Sequence, residues 1–481
     1  MERQNLEGGG PQATLLESKP DATGIDCNNM LTRRHGSSVT AVLVFSTLVA
    51  VSGFFCYGFA VGYSSPAESG IMEDLGLSIA AYSVFGSVMT VGGMIGAILS
   101  GRIADILGRR LAMLFSQIFC TLGWFALVFG KDVLWLDLGR LSTGVGIGLI
   151  SYVVPVYVAE ITPKDLRGVF TAFIQLMSTF GFSIVFFIGN DISWRTLALL
   201  GAIPCLLQII TLFFIPESPR WLVKVGREKE FEMALQSLRG EIADISQEAA
   251  DIRENLETFH QGNRTRFLEL FQRRYTNNLI IGVGLMLLQQ LSGVSGMTYY
   301  ASSIFKKAGV SASLGSMIVA IVAIPATVVG VLLMDKAGRR PLLLISVAGM
   351  CICFFLIGLA FRFQEIASLE RLTPILALTG FVGASVANSV GMSGIPWIIM
   401  SEIFPMNVKA TAGSLVTFVY WSCSWVMTYT FNFMMEWSPS GTFFIFSGVN
   451  LATGVFIAKM VPETKGRTLE EIHVTISDSL Q

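Results

Sequence analysis

The chain has 481 residues, of which 52% are hydrophobic and only 14% charged, with a mean hydropathy of +0.63. A water-soluble protein carries roughly 25% charged residues, so this composition excludes an ordinary soluble domain and points to a chain embedded in lipid. Charge is nearly balanced, 33 Lys+Arg against 34 Asp+Glu, which gives no basis for a nucleic-acid partner.

Residues 1–38 are polar and contain Gly8-Gly9-Gly10. They lack a basic segment followed by an apolar core and cleavage site, and read as a disordered cytosolic tail rather than a signal peptide. Leu15-Leu16 has the form of a sorting dileucine but no acid four residues upstream, so a chance pair explains it equally well. Apolar runs of about 20 residues follow, the length that crosses roughly 30 Å of hydrocarbon. They cover about 39–64, 80–100, 111–130, 133–158, 169–190 and 194–215, then 278–301, 314–334, 341–361, 373–400, 411–433 and 441–461. The fold expected is an all-α membrane protein of twelve transmembrane helices in two six-helix bundles, 39–216 and 278–461, with a second cytosolic tail at 462–481. Between the bundles, 217–277 shows helical spacing in Phe231, Leu235 and Leu238 and again in Ile252, Leu256 and Phe259. Short amphipathic helices covering the seam between the bundles are the expectation, with docking of a partner helix as the alternative.

Histidine and cysteine narrow the chemistry. His35, His260 and His473 all lie in polar segments, leaving no intramembrane histidine relay and no histidine-rich metal site. Cys56, Cys120, Cys205, Cys351, Cys353 and Cys423 sit in apolar runs without CxxC spacing and read as packing residues. No cofactor or metal is called for.

The polar stretch around which the chain is organised is Gly101–Arg110, with Asp105, Gly108, Arg109 and Arg110, and it recurs as Asp335-Lys336-Ala337-Gly338-Arg339-Arg340. The glycine allows a tight turn, and the arginines can satisfy carboxylates and the orphan carbonyls of neighbouring helix ends. Two further features pair across the halves. Glu160 precedes Arg167 by seven residues as Glu402 precedes Lys409, and each half closes on Pro-Glu, with Glu217 and Arg220 in the first and Glu463 in the second. An even number of helices per half relates the halves by an axis along the membrane normal. Two such bundles can rock about a central site, their loop charges pairing when that side is shut and parting when it opens. The plainer alternative, that the charges only fix helix ends, explains one motif better than their regular recurrence. Arg102, Arg109, Arg110, Lys164, Arg167, Lys336, Arg339, Arg340 and Lys409 share one side, against Lys306, Lys307, Arg362 and Arg371 on the other. The positive-inside rule therefore places both tails and the central loop in the cytosol. The sequon Asn263-Arg264-Thr265 then faces the cytosol, and a glycan there would reverse the orientation.

The duplicated Asp-x-x-Gly-Arg-Arg, Pro216-Glu217-Ser218-Pro219-Arg220-Trp221-Leu222, Gln289-Gln290-Leu291-Ser292-Gly293 and Pro462-Glu463-Thr464-Lys465-Gly466 jointly resemble the sugar-porter branch of the major facilitator superfamily. The resemblance spans the whole membrane-embedded chain. Gly-Tyr-Ser-Ser-Pro at 62–66 looks most like the plant early-responsive-to-dehydration-like monosaccharide transporters and some animal intracellular glucose facilitators. The resemblance implies a monosaccharide substrate. A sugar needs convergent amides and hydroxyls beside an aromatic platform. Within the apolar runs the candidates are Gln175, Gln289, Gln290, Ser295, Trp397, Tyr420 and Trp421. The plain alternatives are helix–helix hydrogen bonds for the glutamines and core packing for Trp397. Gln289 and Gln290 point about 100° apart on a regular helix, so one cavity reached by both calls for local unwinding near Gly293 and Gly296. The chain departs from the family pattern at Ser295, Ala323 and Tyr420, where asparagine is usual; fewer amides imply weaker binding and altered selectivity.

The resemblance also bears on coupling. Proton-coupled sugar porters carry an aspartate directly after the Gly-Tyr of the first helix, facing an arginine on the fourth. Arg140 keeps the arginine, but the carboxylate position is Ser64, which implies a facilitator running down the sugar gradient. Asp137, three residues before Arg140, is the local partner expected for that arginine. The alternative is proton coupling through Glu68, four residues beyond Ser64, or through Asp137, with Arg140. A non-transporting sugar sensor is a further reading. No nucleophile–histidine pairing or phosphate loop argues for an enzyme, no ring of filter residues for a channel, and Gly144-x-Gly146-x-Gly148 reads as close helix packing. The expected setting is a monomer in the vacuolar or plasma membrane.

Overall fold

The computed structural model describes residues 39–163, 166–261, 272–366, 369–404 and 408–465. The two tails over 1–38 and 466–481 (Leu15-Leu16 included), Lys164 and the 263–265 sequon lie outside the described residues. So do the side chains of Arg167, Leu256, Phe259, Asp335 and Lys409. The first bundle is built of α1 (Ala41–Leu75), α2 (Ile79–Leu107), α3 (Arg109–Phe129), α4 (Val133–Ile161), α5 (Arg167–Ile188) and α6 (Trp194–Thr211). The second has α7 (Arg273–Leu291, continued by Val294–Tyr299 and Ala301–Lys307), α8 (Ala312–Ala337) and α9 (Arg339–Gln364). It is completed by α10 (Thr373–Ala387, continued through a wide turn into Ile395–Ile403), α11 (Lys409–Trp437) and α12 (Pro439–Met460).

Neighbour relations repeat between the bundles. Helix α1 lies on α5, α2 on α4, and α3 on α4 and α6; correspondingly α7 lies on α11, α8 on α10, and α9 on α10 and α12. The bundles meet along two seams, α2 against α11 and α5 against α8. Eleven spans among the described residues are long and apolar enough to cross a membrane. The twelfth, α11, has the length, 29 residues, but is diluted by Ser, Thr, Tyr and Trp. Its place on a seam beside α2 and α7 accounts for that polarity: it faces protein on two sides and has less lipid to satisfy.

The glycines of α4 do pack closely. A β-carbon on Gly144 would come within 2.1 Å of the Met89 carbonyl oxygen on α2, and one on Gly148 within 2.4 Å of that of Gly93. Two expectations need correction. Helix α1 does not stop near residue 64 but passes Pro66 and ends at Gly76, so Glu68 stands one turn beyond Ser64 on the same helix. The linker helices do not cover the seam in the described residues; they dock on the first bundle. Phe231, Ala234, Leu235, Ala249 and Ile252 form their own small core with Trp221 and Leu222. That core is tied down by Thr40 donating to the Leu238 carbonyl (2.8 Å) and Arg239 to the Ile161 carbonyl (2.8 Å). Helix ends with open carbonyls offer the linker more than an apolar seam does.

Candidate functional site

At the arginine-rich end each half builds the same device. The turn before α3 holds Gly108 at φ +92° and the turn before α9 holds Gly338 at φ +89°, a region that favours glycine. A β-carbon at Gly108 would sit 2.6 Å from Glu217 Oε2, and one at Gly338 2.8 Å from Glu463 Oε2. The space is needed because those carboxylates cap the helices: Glu217 accepts the backbone N–H groups of Arg109 and Arg110, and Glu463 those of Arg339 and Arg340. The arginine side chains turn back onto open carbonyls, Arg109 on Ala104, Arg110 on Ile215, Arg339 on Met334 and Arg340 on Ala458.

The charged pairs also close within each half. Arg109 makes two 2.9 Å bonds to Glu160, which takes a third from Ser218. Asp105 is shared by Arg109 (3.4 Å) and Lys224 (2.9 Å). In the second half Arg339 reaches Glu402 through one nitrogen at 3.3 Å, leaving its Nε and Glu402 Oε2 buried without partners. Glu160 and Glu402 thus meet the arginines of the repeated turns. Arg220 is exposed and has no ion-pair partner among the described residues. Sequence reasoning missed Lys224 and took Ser218 and Trp221 only as part of the 216–222 motif, without the bond by which the Trp221 indole N–H donates to the Asp105 carbonyl at 2.9 Å.

Midway along the helices, Gly293 (φ +90°) breaks α7 two residues after Leu291, and the Phe446 ring fills the space that a β-carbon would need. Gln289 and Gln290 precede the break and diverge. Gln289 donates to the Met392 carbonyl of α10 (2.6 Å), while its own carbonyl oxygen is buried without a partner. Gln290 accepts from Ser295 (2.5 Å) and has Tyr420 as a polar neighbour. Tyr420 in turn meets Trp397 edge to face, ring centres 5.0 Å apart, and neighbours Tyr57 of the first bundle, a residue that sequence reasoning missed. Gln175 is half-buried with its side-chain amide unbonded among the described residues, one turn from the contact where Thr179 of α5 meets Thr327 of α8 at 3.1 Å. Trp421 meets Tyr420 edge to face, ring centres 5.5 Å apart, and its ring also lies on Gly93 of α2, buried in the seam with its N–H unpaired.

Arg140 is fully buried in the first bundle. It donates to the Ser64 hydroxyl (2.5 Å) and the Ala60 carbonyl (3.1 Å), with Tyr63 and Phe85 ring centres 5.7 and 5.3 Å from the guanidinium. The expected pairing with Asp137 is not formed, and one Asp137 oxygen is buried without a partner. Three residues on a helix leave the side chains about 60° apart, and α1 offers the guanidinium two acceptors and an aromatic face instead. Glu68 is buried, bonded to Ser303 of the second bundle at 2.7 Å. It lines a 480 Å³ pocket at the end opposite the arginines, with Glu73, Lys306, Lys307, Asn432 and Glu436 among its walls.

Residues 40–475 match the family model described as sugar (and other) transporter. The chain belongs to that family. It is 57% identical over 443 residues to the sugar transporter ESL1 of Arabidopsis thaliana, covering 92% of this chain and 94% of the relative. Against the sugar transporter ERD6 of the same plant it is 52% identical, covering 92% and 89%. Among solved structures it is similar to the partially occluded inward-open form of the xylose transporter XylE from E. coli, with a TM-score of 0.76 and 25% identity over 89% of this chain and 100% of that one. The protein is therefore a multi-pass membrane protein of the twelve-helix major facilitator fold.

Proposed function

We propose that the protein carries a monosaccharide across its membrane by alternating access, down the sugar's own gradient, with Gln175, Gln289, Gln290, Ser295, Trp397 and Tyr420 forming the polar and aromatic walls of the site. The observation that carries this reading is the orphaned carbonyl of Gln289 beside the Gln290–Ser295–Tyr420–Trp397 group. A buried acceptor left unpaired costs roughly 1–3 kcal/mol, and a sugar hydroxyl is a donor that would satisfy it. Trp421, edge to face with Tyr420 and packed on Gly93 in the seam, adds a buried unpaired N–H to this wall. The moving bodies are the bundles 39–216 and 278–461, joined by 217–277, acting as a monomer. The arginine-rich end faces the cytosol, in the vacuolar or plasma membrane.

Downhill transport is favoured by the partners of Arg140, a hydroxyl and a carbonyl, neither of which exchanges a proton near neutral pH. Proton-coupled transport is the second reading, because Glu68 is a buried carboxylate that bridges the bundles. Uptake of labelled D-glucose, D-xylose and D-fructose into proteoliposomes, with and without a pH difference, tests both. Saturable uptake indifferent to the pH difference is expected. Accumulation driven by the pH difference and lost in Glu68→Gln would replace the facilitator by a symporter. Absence of counterflow with every sugar would leave a sensor. Gln289→Ala is expected to abolish saturable flux while the protein remains monodisperse in detergent.

A further inference from the structure

Helix α10 presents two faces. Ile375, 63% exposed, and Thr379 form its lipid-facing stripe. Ala377, Phe381 and Ala384, spaced four and three apart, form the packed stripe, each at most 2% exposed. This second face looks into the bundle, since Phe381 meets Phe305 of the α7 continuation with ring centres 4.5 Å apart.

Asn388 is the next member of the packed stripe, four residues beyond Ala384 and about 180° round the helix from Thr379. There the packing stops: Asn388 is half-buried, and among the described residues nothing hydrogen-bonds its side-chain amide. An amide at mid-membrane depth facing hydrocarbon is strongly disfavoured, and its position opposite the lipid stripe removes that option. Its partly exposed side chain therefore lies on the protein-facing side of α10. Asn388 also begins the wide turn Asn388–Met392, in which the Ser393 N–H reaches back five residues to its carbonyl (3.0 Å). Such turns within a helix are frequent at functional sites. The turn is not slack, because Ser346 of α9 clamps it by donating to the Ala387 carbonyl (2.6 Å) and accepting from the Met392 N–H (3.0 Å). Its Met392 carbonyl is the group that Gln289 grips. The same turn therefore begins at Asn388 and anchors Gln289 of α7 through its Met392 carbonyl.

We propose that Asn388 is a specificity-determining residue of the sugar site, its free amide hydrogen-bonding one hydroxyl of the bound monosaccharide. This rests on the sugar-transport reading above. An asparagine amide donates through nitrogen and accepts through oxygen, so it suits a hydroxyl that does both. It discriminates sugars by the presence of that hydroxyl.

The test is uptake of D-glucose, and competition by each of its monodeoxy analogues, in proteoliposomes of wild type, Asn388→Ala and Asn388→Leu, the leucine variant keeping the volume. In wild type one analogue is expected to compete about five- to tenfold less well than glucose because of the bond at Asn388. In both variants glucose weakens by about the same factor and that analogue becomes equal to it, while the ranking of the others is kept. Unchanged selectivity across all the analogues in a variant that still transports would overturn the role of Asn388. So would an equal loss for every sugar. Failure of the wild type to transport any sugar would overturn the transport reading itself.

Discussion

The two ends of the molecule are held by different chemistry. At the arginine-rich end the described charge clusters close inside their own bundle, Arg109 with Glu160 and Arg339 with Glu402. At the opposite end, besides pairs within a bundle such as Arg195 with Asp74, bonds run between bundles and are made by hydroxyls, amides and carboxylates. Ser65 meets Ser302 at 3.0 Å, Ser303 donates to Glu68, Asn190 bonds both Ser302 and Ser316, and Ser313 donates to Asp191. Strong pairs within a body and modest bonds between bodies suit a machine that must separate at the second end without melting at the first. A neutral hydrogen bond contributes about 1 kcal/mol net, so a handful can hold a conformer and still release it.

The contrast is broken most completely by making the latch covalent. Ser65→Cys with Ser302→Cys, oxidised in the membrane, should abolish transport and recover it on reduction, with wild type unaffected by the same treatment. Full exchange in the cross-linked protein would mean that this end does not part. Next in size is Glu160→Ala. Both partners are mostly buried, 9% and 12% exposed at the side chain, and a buried charge stripped of its partner costs about 3–5 kcal/mol. Glu402→Ala, at a single 3.3 Å contact between partners 17% and 27% exposed, should cost distinctly less. Thermal unfolding in detergent compares them, and equal losses would refute the asymmetry. Gly108→Ala and Gly338→Ala should each cost roughly 1–3 kcal/mol, and by similar amounts, because both force a β-carbon into a left-handed turn against a carboxylate.

The smallest effect separates the two capping acids by pH. Burial pushes the Glu217 carboxyl up, and its backbone N–H donors from Ser218, Arg110 and Arg109 do not fully offset it. Glu463 is also pushed up by burial, but donors from Lys465, Arg339, Arg340 and Thr464 outweigh that and leave it lowered. The signs therefore oppose. Glu463 contributes stability above its unfolded pKa that is lost as pH falls through its folded value. Glu217 contributes stability that is present at low pH and lost as pH rises through its raised value. Unfolding midpoints between about pH 4 and about pH 7 should fall more steeply on acidification in Glu217→Gln than in Glu463→Gln; parallel curves would contradict this.

Sequence alone determined what depends on local composition and repetition. Continuous apolar runs of about 20 residues become helices in lipid because a single spanning segment can satisfy its own backbone only as a helix. The doubled Gly-Arg-Arg turn with its Pro-Glu partner announced two like bundles, since identical local capping needs recur wherever the fold recurs. What faces what was decided by packing. Composition could not say that α1 would run on past Pro66 to carry Glu68 against Ser303, or that Arg140 would take Ser64 and a carbonyl over its sequence neighbour Asp137. Nor could it tell adjacent aromatics apart: Tyr420 joins Gln290 while Trp421 seals the seam on Gly93, because a helix turns by about 100° between them. Asn388 escaped notice for the same reason. A lone asparagine in an apolar run carries no motif, and only the lipid stripe on one face of α10 and the packed stripe on the other assign it to the interior.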